Sequence, residues 1–242
     1  MQILIATGVY PPEIGGPATY SKILEEELPK RGITVTVLPF RDVRRAPKLF
    51  RHAWYFFKAL HQAKRYDLIY VQDPISVGFP VALASKITGT PFILKVVGDY
   101  AWEQGVQRFG VKDTLDVFSK KRRYHFIVRV LRGMQSFSAR SAKGIVVPSK
   151  YLKKIVSGWD IDPEKITIIY NAFERPKQVV DVSKSVMSGT GSPIIMSAGR
   201  FTPWKGFETL VDVFVEILKK YPDARLCIAG DGAQRASVEK RV

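Results

Sequence analysis

The chain has 242 residues, of which 46% are hydrophobic and 25% charged, a balance typical of a globular protein with a sizeable core. Its net charge of +16 favours anionic partners. The N-terminus has no basic leader, and no apolar run is long enough to span a bilayer, so the sequence predicts neither export nor a transmembrane helix. The single cysteine, Cys227, lies in an apolar run and is predicted to be a core residue in a reducing, cytoplasmic compartment, which excludes a disulfide framework.

Short β-branched runs alternate with helical patterns in the first part of the chain, an order typical of a parallel sheet covered by helices. Six strands are predicted, at Ile3–Ala6, Ile33–Leu38, Asp67–Val71, Phe92–Val97, Gly144–Val147 and Ile166–Ile169. The first crossover helix is predicted to begin near Pro17 and to end before Gly32. Its predicted apolar face consists of Tyr20, Ile23, Leu24 and Leu28. Ser149 is predicted to cap a helix at Lys150–Val156. These elements predict a doubly wound α/β domain at residues 1–174.

Residues 175–192 contain few apolar side chains and are predicted to form an interdomain linker. A second βαβ unit is predicted after it, with a strand at Ile194–Met196, a helix at Phe207–Tyr221 and a strand at Arg225–Ala229. Two strands and one complete helix cannot cover both faces of a parallel sheet. The second domain, residues 193–242, is therefore predicted to be incomplete and marginally stable by itself.

Two adjacent glycines, Gly15 and Gly16, lie between the first predicted strand and the first helix. Backbone N–H groups and the positive end of a helix dipole at such a position form an anion site. The alternative is an ordinary turn with two conformationally permissive residues. Gly8 lies too far from the pair to complete a Gly-x-Gly-x-x-Gly fingerprint, which disfavours a Rossmann dehydrogenase.

A second glycine-bounded turn, from Gly199 to Gly206, carries Arg200 and Lys205 between a strand and an amphipathic helix. The arginine presents a fork for paired phosphate oxygens and the lysine a mobile point charge, so the turn is predicted to bind a diphosphate. The alternative is a solvated turn with two basic residues. The glycine loop of the first domain counts against it, because two anion sites suggest one shared ligand.

Five segments occur in a fixed order along the chain. They are residues 11–16 (Pro-Pro-Glu-Ile-Gly-Gly), Val147–Leu152, Ile169–Phe173, the turn from Gly199-Arg200 to Lys205-Gly206, and Ile228–Gly232. With these segments the chain resembles a GT-B glycosyltransferase of the family 4 type, the retaining enzymes that take sugar from a nucleotide diphosphate. The resemblance covers nearly the whole chain. It implies an α/β fold of two doubly wound, Rossmann-like domains, the second of which is incomplete here.

The resemblance also implies a donor site. Its diphosphate-binding residues would be Gly15, Gly16, Arg200 and Lys205. The turn formed by Gly230, Asp231 and Gly232 would lie near the nucleoside. The basic residues would stabilise charge on the leaving phosphate, an electrostatic effect that needs no metal and no cofactor beyond the nucleotide-diphosphate sugar as co-substrate.

The chain departs from the family pattern after the fourth predicted strand, where many relatives carry a histidine. Here the segment is Gly98-Asp99-Tyr100-Ala101-Trp102-Glu103, so Asp99 and Glu103 are candidate catalytic residues that contact a sugar or an acceptor hydroxyl. The alternative is that Gly98-Asp99 only turns the chain. The three histidines, His52, His61 and His125, do not end predicted strands and are expected at surfaces or interfaces.

The second departure is the lack of a Glu-x7-Glu element that family members carry beyond the Gly230–Gly232 turn. Its carboxylates hold the donor sugar and ribose in those enzymes. The sequence therefore predicts a chain truncated in its second domain. The 242 residues alone are expected to bind donor weakly and to transfer sugar slowly or not at all.

Two segments, residues 41–58 and 120–140, combine basic with aromatic residues. This pattern suits the anionic boundary of a membrane, and in the family such a face on the first domain often docks there, near a lipid-linked acceptor. The alternative is a pair of solvated helix faces whose long basic side chains cover apolar surface.

The predicted function is that of a cytoplasmic glycosyltransferase, peripheral on the inner face of the cell membrane. Its partners would be a nucleotide-sugar donor and a glycan or lipid-linked acceptor, in the synthesis of cell-envelope polysaccharide or glycolipid. The alternative is a non-catalytic basic module that binds nucleic acid or an anionic surface. The lack of a recognised nucleic-acid motif counts against nucleic acid as a partner.

Overall fold

The computed structural model describes residues 1–47, 50–172 and 193–242. The chain divides into two compact units, Met1–Ala172 and Phe173–Val242. The predicted linker at 175–192, and Phe173 at the end of the third family segment, lie outside the described residues.

The first unit is built on a six-stranded sheet. Its strands are β1 (Gln2–Thr7), β2 (Thr34–Pro39), β3 (Leu68–Val71), β4 (Phe92–Lys95), β5 (Gly144–Val147) and β6 (Ile166–Ile168). They lie in the order β2-β1-β3-β4-β5-β6, and every neighbouring pair is parallel. The strand order reverses at β1 and β3, so the carboxyl ends of these strands form the switch point where open α/β sheets bind ligands.

Seven helices of the first unit lie between these strands. They are α1 (Gly16–Glu27), α2 (Phe50–Ala63), α3 (Gly78–Thr88), α4 (Tyr100–Arg108), α5 (Leu115–Lys120), α6 (Phe126–Ser141) and α7 (Lys150–Ser157). Ser149 caps α7 as predicted, since its Oγ accepts the Leu152 N–H at 3.1 Å. Across the described ranges, no helix is both long and apolar enough to cross a membrane.

The sheet is buried because its strands read as continuous apolar runs. Leu4, Ile69, Phe92, Leu94 and Ile145 are each at most 1% exposed and belong to one core cluster. Burial of each such side chain contributes roughly 1.5–3 kcal/mol relative to its exposure to water. The predicted α/β class and the six strands of the first domain are confirmed, with boundaries that differ by at most two residues.

The predicted apolar face of α1 is wrong in part. Its buried residues are the small Ala18 and Ser21, whereas Ile23 is 50% exposed. The Ser21 Oγ donates to the Pro17 carbonyl at 2.8 Å and accepts from the Gln72 Nε2 at 2.7 Å. The helix therefore approaches the sheet through small residues and a buried polar pair rather than through its large side chains.

The second unit contains a two-stranded parallel sheet of β7 (Ile194–Ala198) and β8 (Arg225–Ala229), with α8 (Phe207–Lys220) and the short α9 (Arg235–Glu239). Its core consists of Phe201, Phe207, Val211 and Val238, packed against Leu210, Leu226 and Ile228. The predicted helix and strands of this unit are thus confirmed.

The prediction of a buried Cys227 is wrong, because this residue is exposed. Side chains alternate between the two faces of a strand, and the core of the unit packs on the face of Leu226 and Ile228. Cys227 lies on the other face, in register with Met196, which is 65% exposed. The apolar sequence of β8 therefore predicts burial correctly for the side chains on one face of the strand and wrongly for those on the other.

Candidate functional site

The turn between β7 and α8 is tightly folded. The Thr202 N–H donates to the Arg200 carbonyl, and the Lys205 N–H donates to the Thr202 carbonyl, both at 2.9 Å. A single 3-10 turn, Pro203–Lys205, ends at Gly206, whose φ of 69° lies in the left-handed region that favours glycine. Gly206 is also the N-cap of α8, and it supplies no side-chain hydrogen bond there. The first N–H groups of α8 are therefore left for an external acceptor.

Arg200 and Lys205 both have exposed side chains at this turn. They come from opposite ends of one short segment at the carboxyl end of β7. Together with the positive end of the α8 dipole, they make this turn a concentration of positive charge suited to phosphate oxygens.

The Gly230-Asp231-Gly232 turn packs directly against this segment. The Gly199 N–H donates to the Ala229 carbonyl at 2.9 Å, and the Phe201 N–H donates to the Asp231 carbonyl at 2.8 Å. A Cβ on Gly230 would lie 1.9 Å from the Gly199 carbonyl oxygen, which no side chain can tolerate. The two turns thus meet through their backbones, and glycine is required at this contact.

Gly232 makes the same kind of contact one residue further along. A Cβ there would lie 2.5 Å from the Phe201 carbonyl oxygen. The side chain of Asp231 is 78% exposed to solvent. Its Oδ1 accepts the Gly232 N–H at 2.8 Å. Two motifs that the sequence predicts separately therefore form one continuous surface of the second unit.

The glycine loop of the first unit ends at the N-terminus of α1. Gly15 is the N-cap and supplies no side-chain hydrogen bond, and its carbonyl accepts the Thr19 N–H at 3.1 Å. A Cβ on Gly16 would have no atom within 4 Å. Packing within the unit therefore does not require glycine at Gly16, but the missing side chain keeps this helix end accessible to an anion.

Basic side chains from the segment after β2 hold the loop in place. The Arg41 guanidinium donates to the Pro11 carbonyl, and the Arg44 guanidinium pairs with Glu13 and donates to the Gly8 carbonyl at 3.0 Å. Arginine forks that each satisfy fixed acceptors restrict the loop to one arrangement. The α1 end is thus a pre-formed part of the switch point of the sheet.

Asp99, a candidate catalytic residue, is 2% exposed. Its Oδ1 accepts the Trp102 N–H at 2.9 Å and the Gln135 Nε2 at 3.0 Å, and its Oδ2 accepts the Trp159 Nε1 at 3.2 Å. Burial raises the pKa of this carboxyl, and its hydrogen-bond donors oppose the increase. The geometry favours the alternative in which Asp99 turns the chain and caps α4, over contact with a ligand.

Glu103, the second candidate, lies in the first turn of α4 and is partly exposed. A Cβ on Gly98 would lie 2.5 Å from its Oε1, so the carboxylate folds back over the chain just after β4. Of the two acidic candidates, Glu103 is the one with access to solvent near the carboxyl ends of the strands.

Lys95 is a residue of this region that sequence reasoning missed. It is 4% exposed at the end of β4, and its Nζ lies 3.0 Å from the centroid of the Tyr20 ring and 3.4 Å from the Asn171 Oδ1. Burial lowers the pKa of the Lys95 ammonium to about 8. The sequence does contain a signal for this residue, namely a lysine at the end of an apolar strand. Burial of a lysine costs free energy, so such a position indicates a specific role.

A second missed group follows β3. The Asp73 Oδ1 accepts the N–H groups of Ile75 and Ser76, both at 2.7 Å. Desolvation raises the pKa of the Asp73 carboxyl and lowers that of the nearby His52 imidazole. The Nε of Arg51 is buried and has no hydrogen-bond partner among the described residues. His52 is thus half-buried beside a carboxylate rather than a plain surface residue.

Metal ligands do not cluster in the part of the chain that the structure describes. No group of three or more His, Cys, Asp or Glu side chains there could hold an ion.

Comparison with known families gives one match for each part of the chain. The model of the glycosyl transferase 4-like domain matches residues 3–172, and that of the glycosyl transferases group 1 matches residues 178–242. Among curated proteins, the alpha-monoglucosyldiacylglycerol synthase of Streptococcus pneumoniae is 25% identical over 262 aligned positions, which cover 96% of this chain and 56% of that protein.

The solved structures with a similar fold include those of two named enzymes or proteins, as follows. Sucrose-phosphate synthase of Thermosynechococcus elongatus has a TM-score of 0.68 and 18% identity, with 100% of this chain and 65% of that chain covered. Anabaena HepE, solved with UDP, has a TM-score of 0.62 and 18% identity, with 99% and 64% covered. At this identity the likeness shows the fold. The chain spans less than two thirds of the length of each of these proteins.

Proposed function

The chain belongs to the glycosyltransferases of the 4-like and group 1 families, which have the GT-B fold, and we propose that it transfers a sugar from a nucleotide-diphosphate donor with retention of configuration. The observation that carries this proposal is the pair of turns in the second unit. Their backbones interlock at Gly199 and Gly230, and this contact places Arg200 and Lys205 beside the N-terminus of α8.

In this proposal the turn binds the diphosphate of the donor. As the bond from the sugar to the phosphate breaks, negative charge grows on the leaving phosphate oxygens. The Arg200 fork, the Lys205 ammonium and the positive end of α8 stabilise that charge, and no metal is required for this step.

Nucleotide titration of the chain tests the donor proposal. UDP, GDP and ADP are titrated by calorimetry, and the Arg200→Gln, Lys205→Gln double variant is expected to bind the preferred nucleotide at least 100-fold more weakly, since each hydrogen bond to a charged group contributes about 1.5–3 kcal/mol. The matched control is Lys220→Gln with Arg225→Gln. It removes two charges, one at the C-terminal end of α8 and one at the N-terminal end of β8, which are the ends away from the turn.

The control variant is expected to bind within twofold of the unaltered chain. Equal losses in both variants would show that net charge, rather than the turn, attracts nucleotide. Absence of any nucleotide binding up to millimolar concentration by the unaltered chain would contradict the donor proposal.

We propose a lipid-linked acceptor, reached by docking of the first unit on the cytoplasmic face of an anionic membrane. Helix α2 supports this, because Phe50, Trp54 and Phe57 recur at helical spacing and are 65%, 58% and 63% exposed. Arg51 and Lys58 lie on the same helix, but the Nε of Arg51 is buried and the Nζ of Lys58 lies 3.8 Å from the Asp42 Oδ2, so the exposed aromatic side chains carry the docking proposal. The relative named as a glycolipid synthase supports an acceptor of this class.

Co-sedimentation with vesicles tests the docking proposal. Trp54→Ser with Phe57→Ser is expected to reduce binding to phosphatidylglycerol-containing vesicles at least fivefold and to leave nucleotide binding unchanged. The control is Ile87→Ser with Tyr221→Ser, which removes two exposed apolar side chains from other elements. An unaltered chain that stays in the supernatant with anionic vesicles would refute docking, and so would an equal loss in the control.

A further inference from the structure

A cavity of about 340 Å³ lies in the first unit between α6 and the loop after α7. Four arginines line it: Arg122, Arg129, Arg132 and Arg140. Trp159 and Asp160 of the loop complete its charged and aromatic lining. A volume of this size lies at the lower end of the range for small-molecule sites.

Helix geometry alone places three of these arginines together. Arg129, Arg132 and Arg140 differ by three and eight positions within α6, so all three lie on one face of the helix. Gly133 and Ser136, on the same face, also line the cavity and leave space between the longer side chains. Arg122 is added by the segment before the helix.

Among the described residues, none of the four arginines forms an ion pair with a carboxylate. The arginine ion pairs of the described residues are formed by other arginines. Arg132 donates to the Lys121 carbonyl at 2.6 Å and to the Ser119 carbonyl at 3.3 Å, and neutral acceptors leave its charge in place. Asp160 is the one acidic residue of the lining, which leaves a net charge of about +3 around the cavity.

Hydrogen bonds on the inner side of the cavity meet at Asp99. Trp159 is 5% exposed, and its Nε1 donates to the buried Asp99 carboxylate. Gln135, a buried residue of α6 between Gly133 and Ser136, donates to the same carboxylate. This carboxylate thus fixes the α7 loop against α6, and the charge of Arg132 acts to lower the pKa of Asp99.

We propose that this cavity is a binding site for a phosphate monoester group. Arginine forks match the oxygens of a phosphate, and a dianion offsets more of the accumulated charge than a carboxylate does. The site lies in the first unit and shares no residue with the Arg200 and Lys205 turn. It therefore stands or falls separately from the donor proposal.

Two probes carry the same chemical group in different forms. Glycerol 1-phosphate is titrated into the chain by calorimetry in 50 mM salt, and phosphatidic acid is presented in phosphatidylcholine vesicles for co-sedimentation. Binding of both probes identifies a site that accepts free phosphate monoesters. Binding of the vesicles alone identifies a site for a membrane headgroup.

The decisive comparison uses two double variants of equal charge. Arg129→Gln with Arg140→Gln removes two arginines of the cavity and is expected to reduce binding of the active probe at least tenfold. Lys120→Gln with Arg123→Gln removes two exposed charges from the neighbouring segment and is expected to change it less than twofold. Equal losses in the two variants, or no binding of either probe by the unaltered chain, would overturn the proposal.

Circular dichroism and urea unfolding followed by the fluorescence of the first-unit tryptophans check that the variants are folded. If the Gln variant does not fold, Arg129→Lys with Arg140→Lys keeps the charge and removes the forks. That variant is expected to lose at least threefold in affinity, and unchanged affinity would refute recognition by the arginine forks.

Discussion

Replacement of Lys95 by Met is expected to stabilise the first unit at neutral pH. The ammonium of this lysine is buried against Tyr20 at the end of β4, and its pKa falls from 10.5 to about 8. Below pH 8 the lysine is charged in the folded and the unfolded chain alike. Folding at neutral pH therefore includes the full cost of taking a charged ammonium out of water.

The size of the effect follows from the shift in pKa. At about 1.4 kcal/mol for each pKa unit, the difference between 10.5 and about 8 corresponds to an upper limit of about 3.5 kcal/mol. Solvent screening at the carboxyl end of β4, and the lost contacts with Tyr20 and Asn171, reduce the expected gain to about 1–2 kcal/mol.

The gain has a defined pH dependence. Between pH 8 and 10.5 the unfolded chain binds more protons at this lysine than the folded chain does, so the stability of the unaltered protein rises with pH. The methionine variant lacks this rise. The difference in unfolding free energy between the two proteins is therefore expected to be largest below pH 8 and to shrink toward pH 10.5.

Urea unfolding at a series of pH values from 7 to 10 measures this difference. A Trp204→Phe background leaves only tryptophans of the first unit to report its unfolding by fluorescence. Lys86→Met, which replaces an exposed lysine beside Phe137, is the control and is expected to change stability by less than about 0.5 kcal/mol. A Lys95→Met variant that is less stable at pH 7, or a difference that does not vary with pH, would refute the reasoning.

Gly230→Ala is expected to destabilise the second unit by about 2 kcal/mol or more, because its Cβ would lie 1.9 Å from a backbone oxygen. Gly133→Ala, with no atom within 4 Å, is expected to stabilise α6 by about 0.5–1 kcal/mol, and thermal unfolding compares the two. Asp99→Asn is expected to cost about 2 kcal/mol, since an amide N–H would face a donor, and to leave nucleotide binding intact. A stable variant that loses nucleotide binding would contradict the structural role of Asp99. Ser149→Ala is expected to cost about 1 kcal/mol through loss of the α7 cap, and unchanged urea unfolding would contradict this.

Local patterns in the sequence predict the eight strands and the helices α1, α7 and α8, whereas α2 to α6 have no predicted bounds. The strand Arg225–Ala229 was predicted with its observed boundaries, because an apolar run ends there at glycine. The turns at Gly199 and Gly230 were also found, since a backbone contact that excludes any Cβ leaves glycine as a visible signal.

Partners that lie far apart in sequence could not be predicted in the same way. Asp99 meets Gln135 and Trp159, which lie 36 and 60 residues away, and Lys95 meets Asn171, 76 residues away. Spacing along one element gives no information on such pairs, which depend on the order of strands in the sheet. For this reason the sequence predicts Asp99 as a carboxylate accessible to ligand, and it predicts the arginines of the cavity only as part of a basic segment.

The exposed position of Cys227 has a practical consequence for experiments on the second unit. It is the single cysteine of the sequence and is exposed on β8, so a maleimide dye or a spin label attaches at one known place without any substitution. The strand that carries it ends at Ala229, immediately before the turn at Gly230. A probe there would report nucleotide-dependent changes close to the proposed donor site in an otherwise native protein.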